Sequence, residues 1–351
     1  MRTDREGENG PADPVGRDEA TRAAAAHLIV QLSTPAEISV RLPGMGETVF
    51  YPRILDRAAM RAWQEDGRLA CEAVALACAG QSGVLFVEHG LAVSVVNAVL
   101  GLVAPPLAGP LTRIERGVLA GTLATIFAEL GLAPAIRLAE YLGGRAGVGA
   151  SIVAATTDLP GRKGRAWLAA SDEFHAGIWA SRAPGGRTFA ARLEVAATTI
   201  EETELAGAGP GDQIVFDETG AWSPAQAWPV RIRREARSVP AWWLVDGTVV
   251  AADSPTGDAV TRPGRPLSIH CRGDDAAVAP GFVTVIAGCV CPAIDPARPA
   301  PLVIPRGGPL LVEAAKRAWA YGEISAQGGA PAVTITRMLA GSRTGSRTTR
   351  P

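Results

Sequence analysis

The residues of this chain whose types and spacing point to chemistry are few. The densest stretch is "TIEETELAGAGPGDQIVFD", Thr199 to Asp217. A glycine-rich loop can cradle phosphate on its backbone N–H groups, but a P-loop also needs a Lys and a Ser or Thr after its last glycine. "GAGPGDQI" has neither. A dinucleotide-binding loop lies between a strand and a helix, whereas these glycines precede "QIVFD", which reads as a strand. Pro210-Gly211-Asp212 is therefore read as a turn that delivers the chain into a strand at Gln213–Phe216.

The remaining constellations are thinner. His27, His89, His175 and His270 stand far apart, with no H-x₃-H or HExxH arrangement. The five cysteines are Cys71, Cys78, Cys271, Cys289 and Cys291, an odd number without paired spacing. Cys289-Val-Cys291 is tighter than a C-x₂-C zinc arm and lies in the apolar run "FVTVIAGCVC". They read as small buried residues in a reducing compartment. A hydrolase needs a nucleophile elbow, G-x-S-x-G. "GQSGVLF" around Ser82 comes nearest and lacks the second glycine. No catalytic, metal or cofactor-binding residue is predicted.

The elements that must position any function are plainer. The chain has 351 residues, 47% of them hydrophobic and 20% charged, enough apolar material for two or three cores. Lys+Arg 34 against Asp+Glu 35 leaves a net charge of −1, which lacks the basic excess of a nucleic-acid binder. Residues 1–22 are polar, lack the apolar stretch of a signal peptide and have the composition of a disordered leader. The charge-free run "GLAVSVVNAVLGLVAPPLAGPLT", residues 90–112, is long enough to span a bilayer. Asn97 in its middle, with Pro105, Pro106 and Pro110 beyond, makes it a buried helix followed by a loop.

An N-terminal α+β domain is expected over residues 23–184. "TRAAAAHLIVQLS" reads as a helix, "AEISVRLPG" as a strand, "RAAMRAWQEDGRLACEAVALACAG" as helical with a break at Gly67, and "GVLFVEHG" as a buried strand. Thr112 and Glu115 form a capping box. Ile114, Val118, Leu119, Leu123, Ile126, Phe127 and Leu130 then make one apolar helix face that stops at Gly131. After "SRAPGGR" the texture turns to β. A first small module is expected at 185–253, a Pro/Gly-rich linker at 254–265, a second module at 266–340, and a basic disordered tail at 341–351. The second module contains "LSIHC", "GFVTVIAGCVC", "APLVIP" and "PAVTITRML". The hairpin "LVDGTVV" of one module answers "VEAAKRAWAYGEI" of the other, so the two are read as diverged repeats that pair to gain a core.

The turn and strand at 199–217 resemble the first half of a SpoA module, the domain of the flagellar switch proteins FliN and FliM and of the SctQ (YscQ, HrcQ) proteins of type III secretion. In that family a T-x-L/I-x-x-x-E-L segment precedes a P-G-D turn and an apolar strand. Thr199, Ile200, Glu204, Leu205, Pro210, Gly211, Asp212 and Ile214 stand at those places. The ending "PLLVEAAKRAWAYGEISAQGGAPAVTITRML" is similar to the other half of the pattern, with Ala320, Gly322, Glu323, Ile324, Ile335 and Thr336 at matching positions. "PLTRIERGVLAGTLATIFAEL" resembles the SctQ segment in which an L-T-x-I-E-R/K run opens a helix. The second module departs from the pattern, with "CPAIDPARPAPLVIP" where a P-G-D is expected.

The resemblance implies a structural part of the cytoplasmic sorting platform of a type III secretion system, without enzymatic activity. Its implied partners are the stalk protein SctL, through it the export ATPase SctN, the adaptor SctK, and chaperone–effector complexes. Self-association, or pairing with a short C-terminal SpoA product, is implied as well. Met occurs only at 1, 45, 60 and 338, so such a product would need another start codon. The implied place is the cytoplasmic face of the inner membrane. Trp242 and Trp243 are neighbours on a strand and face opposite sides, so either one joins the core while the other pairs the modules or meets a partner, or both are buried between the modules. Arg231, Arg233, Arg234 and Arg237 read as a solvated strand face or as a docking stripe for an acidic partner. A flagellar switch protein is the second reading. A CheC-type phosphatase is the third, and it needs an E-x-x-N pair; residues 23–184 contain none, Glu88 and Asn97 being nine apart.

Overall fold

The computed structural model describes residues 14–42, 46–55, 57–63, 71–78, 80–102, 109–132, 136–141, 151–159, 162–182, 188–216, 227–235, 237–252, 278–296, 300–327 and 330–339. Its architecture is α+β, with two antiparallel sheets. The linker at 254–265, the strand "LSIHC", Gly67 and the tail at 341–351 lie outside the described residues.

The first part runs α1 (Pro14–Ser33), β1 (Ile38–Leu42), β2 (Gly46–Ile54), α2 (Arg57–Ala62), β3 (Cys71–Cys78), β4 (Gln81–Glu88), α3 (His89–Leu100), α4 (Arg113–Glu129), β5 (Ile136–Tyr141), β6 (Ser151–Leu159), β7 (Arg162–Ala170) and α5 (Asp172–Arg182). Its seven strands lie in the order β1-β2-β6-β7-β4-β3-β5. Leaving β1 aside, reversing that order exchanges β2 with β5, β6 with β3 and β7 with β4. Two copies of one pattern thus meet at β4 and β7, where Phe86 stands opposite Trp167. The same exchange relates α1 to α4, and each packs on the helix that closes the other copy, α1 on α5 and α4 on α3. One sheet face buries Val74, Leu76, Val87 and Val153 beneath α3, α4 and α5. The other buries Phe86, Trp167 and Trp63 together, the Trp63 and Phe86 rings meeting edge to face at 4.9 Å.

Helix α4 starts as its sequence requires. The Thr112 hydroxyl accepts from Glu115 N–H, and Thr112 N–H donates to the Glu115 carboxylate at 2.6 Å. That bond to Thr112 holds the Glu115 carboxyl below its ordinary range. Gly131 takes the left-handed conformation, φ 72°, that ends the helix. Leu119 and Leu123 are buried, and Val118, Ile126, Phe127 and Leu130 pack against the core. Ile114, assigned to the same face, is instead 77% exposed.

Two further expectations change. Among the described residues of the helix expected over "RAAMRAWQEDGRLACEAVALACAG", Arg57–Ala62 is helical and Cys71–Cys78 is strand β3. That strand is covered on both sides, Ala73 beneath one face and Val74 and Leu76 beneath the other. A short run apolar on both faces carries no period that separates strand from helix. Helix α1 begins at Pro14, inside the stretch read as a leader, and proline suits the first helical turn. Residues 1–13 lie outside the described residues. No helix among the described residues is long and apolar enough to cross a membrane.

The second part runs β8 (Arg192–Glu201), α6 (Glu202–Gly207), β9 (Gln213–Val215), β10 (Trp228–Arg234), β11 (Arg237–Trp243), β12 (Thr248–Ala251), β13 (Phe282–Val290), β14 (Leu302–Val303), β15 (Leu310–Ala314), β16 (Arg317–Gln327) and β17 (Ala330–Met338). The ten strands form one sheet in the order β14-β12-β11-β10-β8-β13-β15-β16-β17-β9. Reversal of that order maps β8–β12 onto β13–β17, strand for strand. The two β-rich halves therefore pair through β8 and β13, and each gives a short strand to the far edge of the other: β9 lies on β17, and β14 on β12. One core holds residues of both halves. The internal alignment differs from the expected one. The "VEAAKRAWAYGEI" hairpin, β15–β16, corresponds to β10–β11, and "LVDGTVV" corresponds to the β16–β17 turn. The register pairs the turns differently from the sequence expectation.

Candidate interaction surfaces

The Pro210-Gly211-Asp212 turn is where the exchange of strands begins. Gly211 has φ 96°, which side-chain-bearing residues rarely adopt. The Asp212 carboxylate accepts from Gly209 N–H at 2.7 Å and pins the loop. Gly211 N–H donates to the Ile335 carbonyl, and Ile335 N–H to the Asp212 carbonyl, each at 2.8 Å. The turn therefore docks on the other half before β9 pairs with Ala332–Thr334. Ile214 and Phe216 enter the shared core, as does Leu205 of α6. Thr199 is exposed on β8 opposite Thr284. The loop makes a turn and a strand, with no phosphate cradle.

Trp242 and Trp243 face opposite sides of β11, and both are buried, at 9% and 1% exposure. Trp243 lies in the shared core, edge to face with Trp228 at 5.6 Å. Its indole N–H donates to the Ile304 carbonyl at 2.8 Å. The Arg306 guanidinium donates to the Trp243 carbonyl and sits 4.2 Å from the Trp228 ring centre. Trp242 lies on the outer face with Leu244 and Val250, beneath Ala24 of α1. Its partner is a helix of its own chain.

The register sets these residues against counterparts in the other half. Trp243 pairs with Val249 as Ile324 pairs with Val333, and all four belong to the core. One step along, Trp242 pairs with Val250 as Glu323 pairs with Thr334. Glu323 is exposed. Gly322 is buried opposite Ile335 beside a register shift. A Cβ there would lie 2.3 Å from Val333 Cγ1 and 2.8 Å from the Thr334 carbonyl, so only glycine fits.

The four arginines do not form a solvated stripe. Arg233 pairs with Glu194 at 3.4 Å. Arg234 donates to the Leu32 carbonyl at 3.1 Å, with its guanidinium 3.9 Å from the Phe189 ring centre. Arg237 donates to the Gln31 carbonyl at 3.3 Å and to the Pro35 carbonyl. Burial, with Arg234 nearby, lowers the Arg237 pKa. Arg234 and Arg237 thus hold the carbonyl end of α1, where the helix dipole favours cations. Arg231, half-exposed, stands between Glu194 and Pro240 in the register. The missed residues are those of α1: Ala20, Ala24 and Leu28, four apart on the side turned to the ten-stranded sheet. The Ala-x-x-x-Ala spacing in "ATRAAAAHLIVQL" is the signal that marks them.

The residues weighed for catalysis are dispersed. Ser82 lies on β4 opposite Ala77, in a hairpin and not at an elbow. Glu88 pairs with Arg165 at 2.9 Å, and Asn97 is buried in α3. His89 at the start of α3 contacts Glu72 of β3 at 3.2 Å, and His27 of α1 contacts Asp172 of α5 at 3.3 Å. Burial pushes the Cys71 and Cys291 thiols up to about 12, and it raises Cys78 and Cys289 as well. These four stay protonated at neutral pH. Among the described residues no three His, Cys, Asp or Glu are grouped to hold a metal.

No family model matches the chain, and no curated protein does. Among solved structures the chain is similar to the FliM middle domain from H. pylori, at 10% identity and TM-score 0.31, over 49% of this chain and 99% of that one. A chain of the FliM-SpeE complex from H. pylori matches at 9% identity and TM-score 0.31, over 48% and 96%. Thermotoga maritima FliY matches at 14% identity and TM-score 0.27, over 50% of this chain and 99% of that one.

Proposed function

We propose that this chain is a non-enzymatic scaffold of the sorting platform of a type III secretion system, at the cytoplasmic face of the inner membrane. On this reading its ten-stranded part is a pair of SpoA-like modules that dock the stalk protein SctL, and through it the ATPase SctN. The adaptor SctK and chaperone–effector complexes are its further partners. One observation carries the reading: the P-G-D segment, which the sequence likens to a SpoA module, serves here to hook one β-rich half onto the other. A paired unit of this kind has a structural use for Thr199–Ile214 and needs no catalytic group.

The test is co-purification of the full chain with the cognate stalk protein, followed by calorimetric titration with that protein's N-terminal segment. A saturable complex that Asp212→Ala weakens supports the reading. A stable chain that ignores the stalk segment overturns it. A chain that binds a flagellar export stalk protein in preference assigns it to the flagellar switch instead.

A further inference from the structure

Helix α1 touches both parts of the molecule: it packs on α5 of one, while Leu28, Ile29 and Leu32 join the core of the other and Ala24 meets Trp242, Leu244 and Val250 on its outer face. We infer that the outer face of β10–β12 is a helix seat, filled in cis by α1 as an exchangeable ligand.

The ten-stranded sheet supplies the first argument. Its two halves share a register and a core, but α1 lies against β10, β11 and β12, all of one half. On that half Trp242, Leu244 and Val250 face the helix. On the other half the matching pair is Glu323 and Thr334, polar and outside the core clusters. A five-stranded half of this design therefore stands with its outer face uncovered, and the apolar face on β11–β12 is an addition to it.

The seven-stranded part supplies the second argument. Its α4 is the counterpart of α1, and α4 rests on α3 with Ile114, Gly117, Gly121 and Ala124 exposed. A helix in that position is complete with one side covered. The second contact of α1 is thus also an addition, and its chemistry is that of a helix in a groove. Ala20 and Ala24 let the helix lie close against the indole of Trp242. The Leu32, Gln31 and Pro35 carbonyls accept from Arg234 and Arg237. The seat fits an amphipathic helix with an Ala-x-x-x-Ala seam whose last carbonyls are free. While α1 fills it, the two sheets are joined. A partner helix of that kind competes with α1 and parts them.

The test uses the full chain and a fluorescent peptide of residues 14–35. Ala24→Arg sets a charged side chain against Trp242 and vacates the seat. The peptide is expected to bind this variant with an apparent Kd roughly tenfold or more below that for the unaltered chain, whose seat is filled. Adding Trp242→Arg should abolish the gain. A folded Ala24→Arg chain that takes the peptide no better than the unaltered chain overturns the inference. If Ala24→Arg does not melt cooperatively, the Ala20→Arg chain decides, because it alters α1 at a partly buried position and leaves the seat intact. A gain in peptide binding there sustains the inference, and none overturns it.

Discussion

The two halves of the ten-stranded sheet have the same strands in mirrored order, yet their outer faces differ in kind. At matching register the β11–β12 pair presents Trp242 and Val250, and the β16–β17 pair presents Glu323 and Thr334. Beneath them the cores agree: Trp243 and Val249 on one side, Ile324 and Val333 on the other. The backbone pattern is therefore fixed by the inward residues alone. The outward residues follow whatever covers them, a helix in one half and solvent in the other.

Breaking that likeness at its core gives the largest effect. Trp243→Ala removes a fully buried indole, its hydrogen bond to the Ile304 carbonyl and its edge-to-face contact with Trp228, and should destabilise by about 3–5 kcal/mol in urea unfolding. Ile324→Ala, at the matching but only partly buried site, should cost about half as much. Outside the core the effect is local. Trp242→Glu gives β11 the residue its counterpart carries, and should speed amide exchange of Ala24–Leu32 by roughly tenfold to a hundredfold, the worth of one buried aromatic. Glu323→Trp should leave that exchange unchanged.

Gly322 corresponds to Ala241, and each faces a partner of complementary size, Ile335 and Ala251. Gly322→Ala should destabilise by about 1–3 kcal/mol through overpacking, whereas Ala241→Gly should cost about 0.5–1 kcal/mol. The sheets can also be compared by pH. Cys71 belongs to the seven-stranded sheet and Cys291 to the ten-stranded part, and burial raises both from 9.0 to about 12. The folded chain keeps these protons longer than the unfolded chain does, so their contribution is full below pH 9 and is lost as pH rises toward 12. Thermal melts of both parts should fall over that window, and thiol alkylation should stay slow below it. The smallest effect lies in a turn. Ala315 and Lys316 join β15 to β16 with φ 48° and 64°, a two-residue hairpin turn that favours glycine. Lys316→Gly relieves roughly 1–2 kcal/mol of left-handed strain against roughly 0.4–1 kcal/mol of added unfolded-chain entropy, and should raise the melting midpoint slightly.

Where one residue type has one physical use, the sequence was legible. The capping box of α4, the stop at Gly131, the turn at Pro210-Gly211-Asp212 and the buried helix at 89–100 each follow from local rules. The paired halves were legible too, because neither carries enough apolar surface alone. What escaped depends on distant neighbours. Strand β3 is apolar on both faces because helices cover the two sides of its sheet. Arg234 and Arg237 look like surface charges until the end of α1, some 200 positions earlier, is set beside them. Trp242 could not be assigned a cover from its own strand. The β6–β7 hairpin and α5 were open to reading, since "SIVAATTDL" and "RKGRAWLAA" flank Pro160-Gly161, and Ser171 accepts from Phe174 N–H to start the helix.

The exchanged strand also sets a schedule. Gln213 of β9 bonds Thr334 of β17 across 121 positions of chain. At the usual pace of synthesis, about 5–20 residues per second, β9 leaves the ribosome roughly 6–24 seconds before its partner does. Throughout that interval Ile214 lacks Val333, its partner across the sheet. A strand of three residues is a poor template for mispairing with another nascent chain, and that brevity guards the wait.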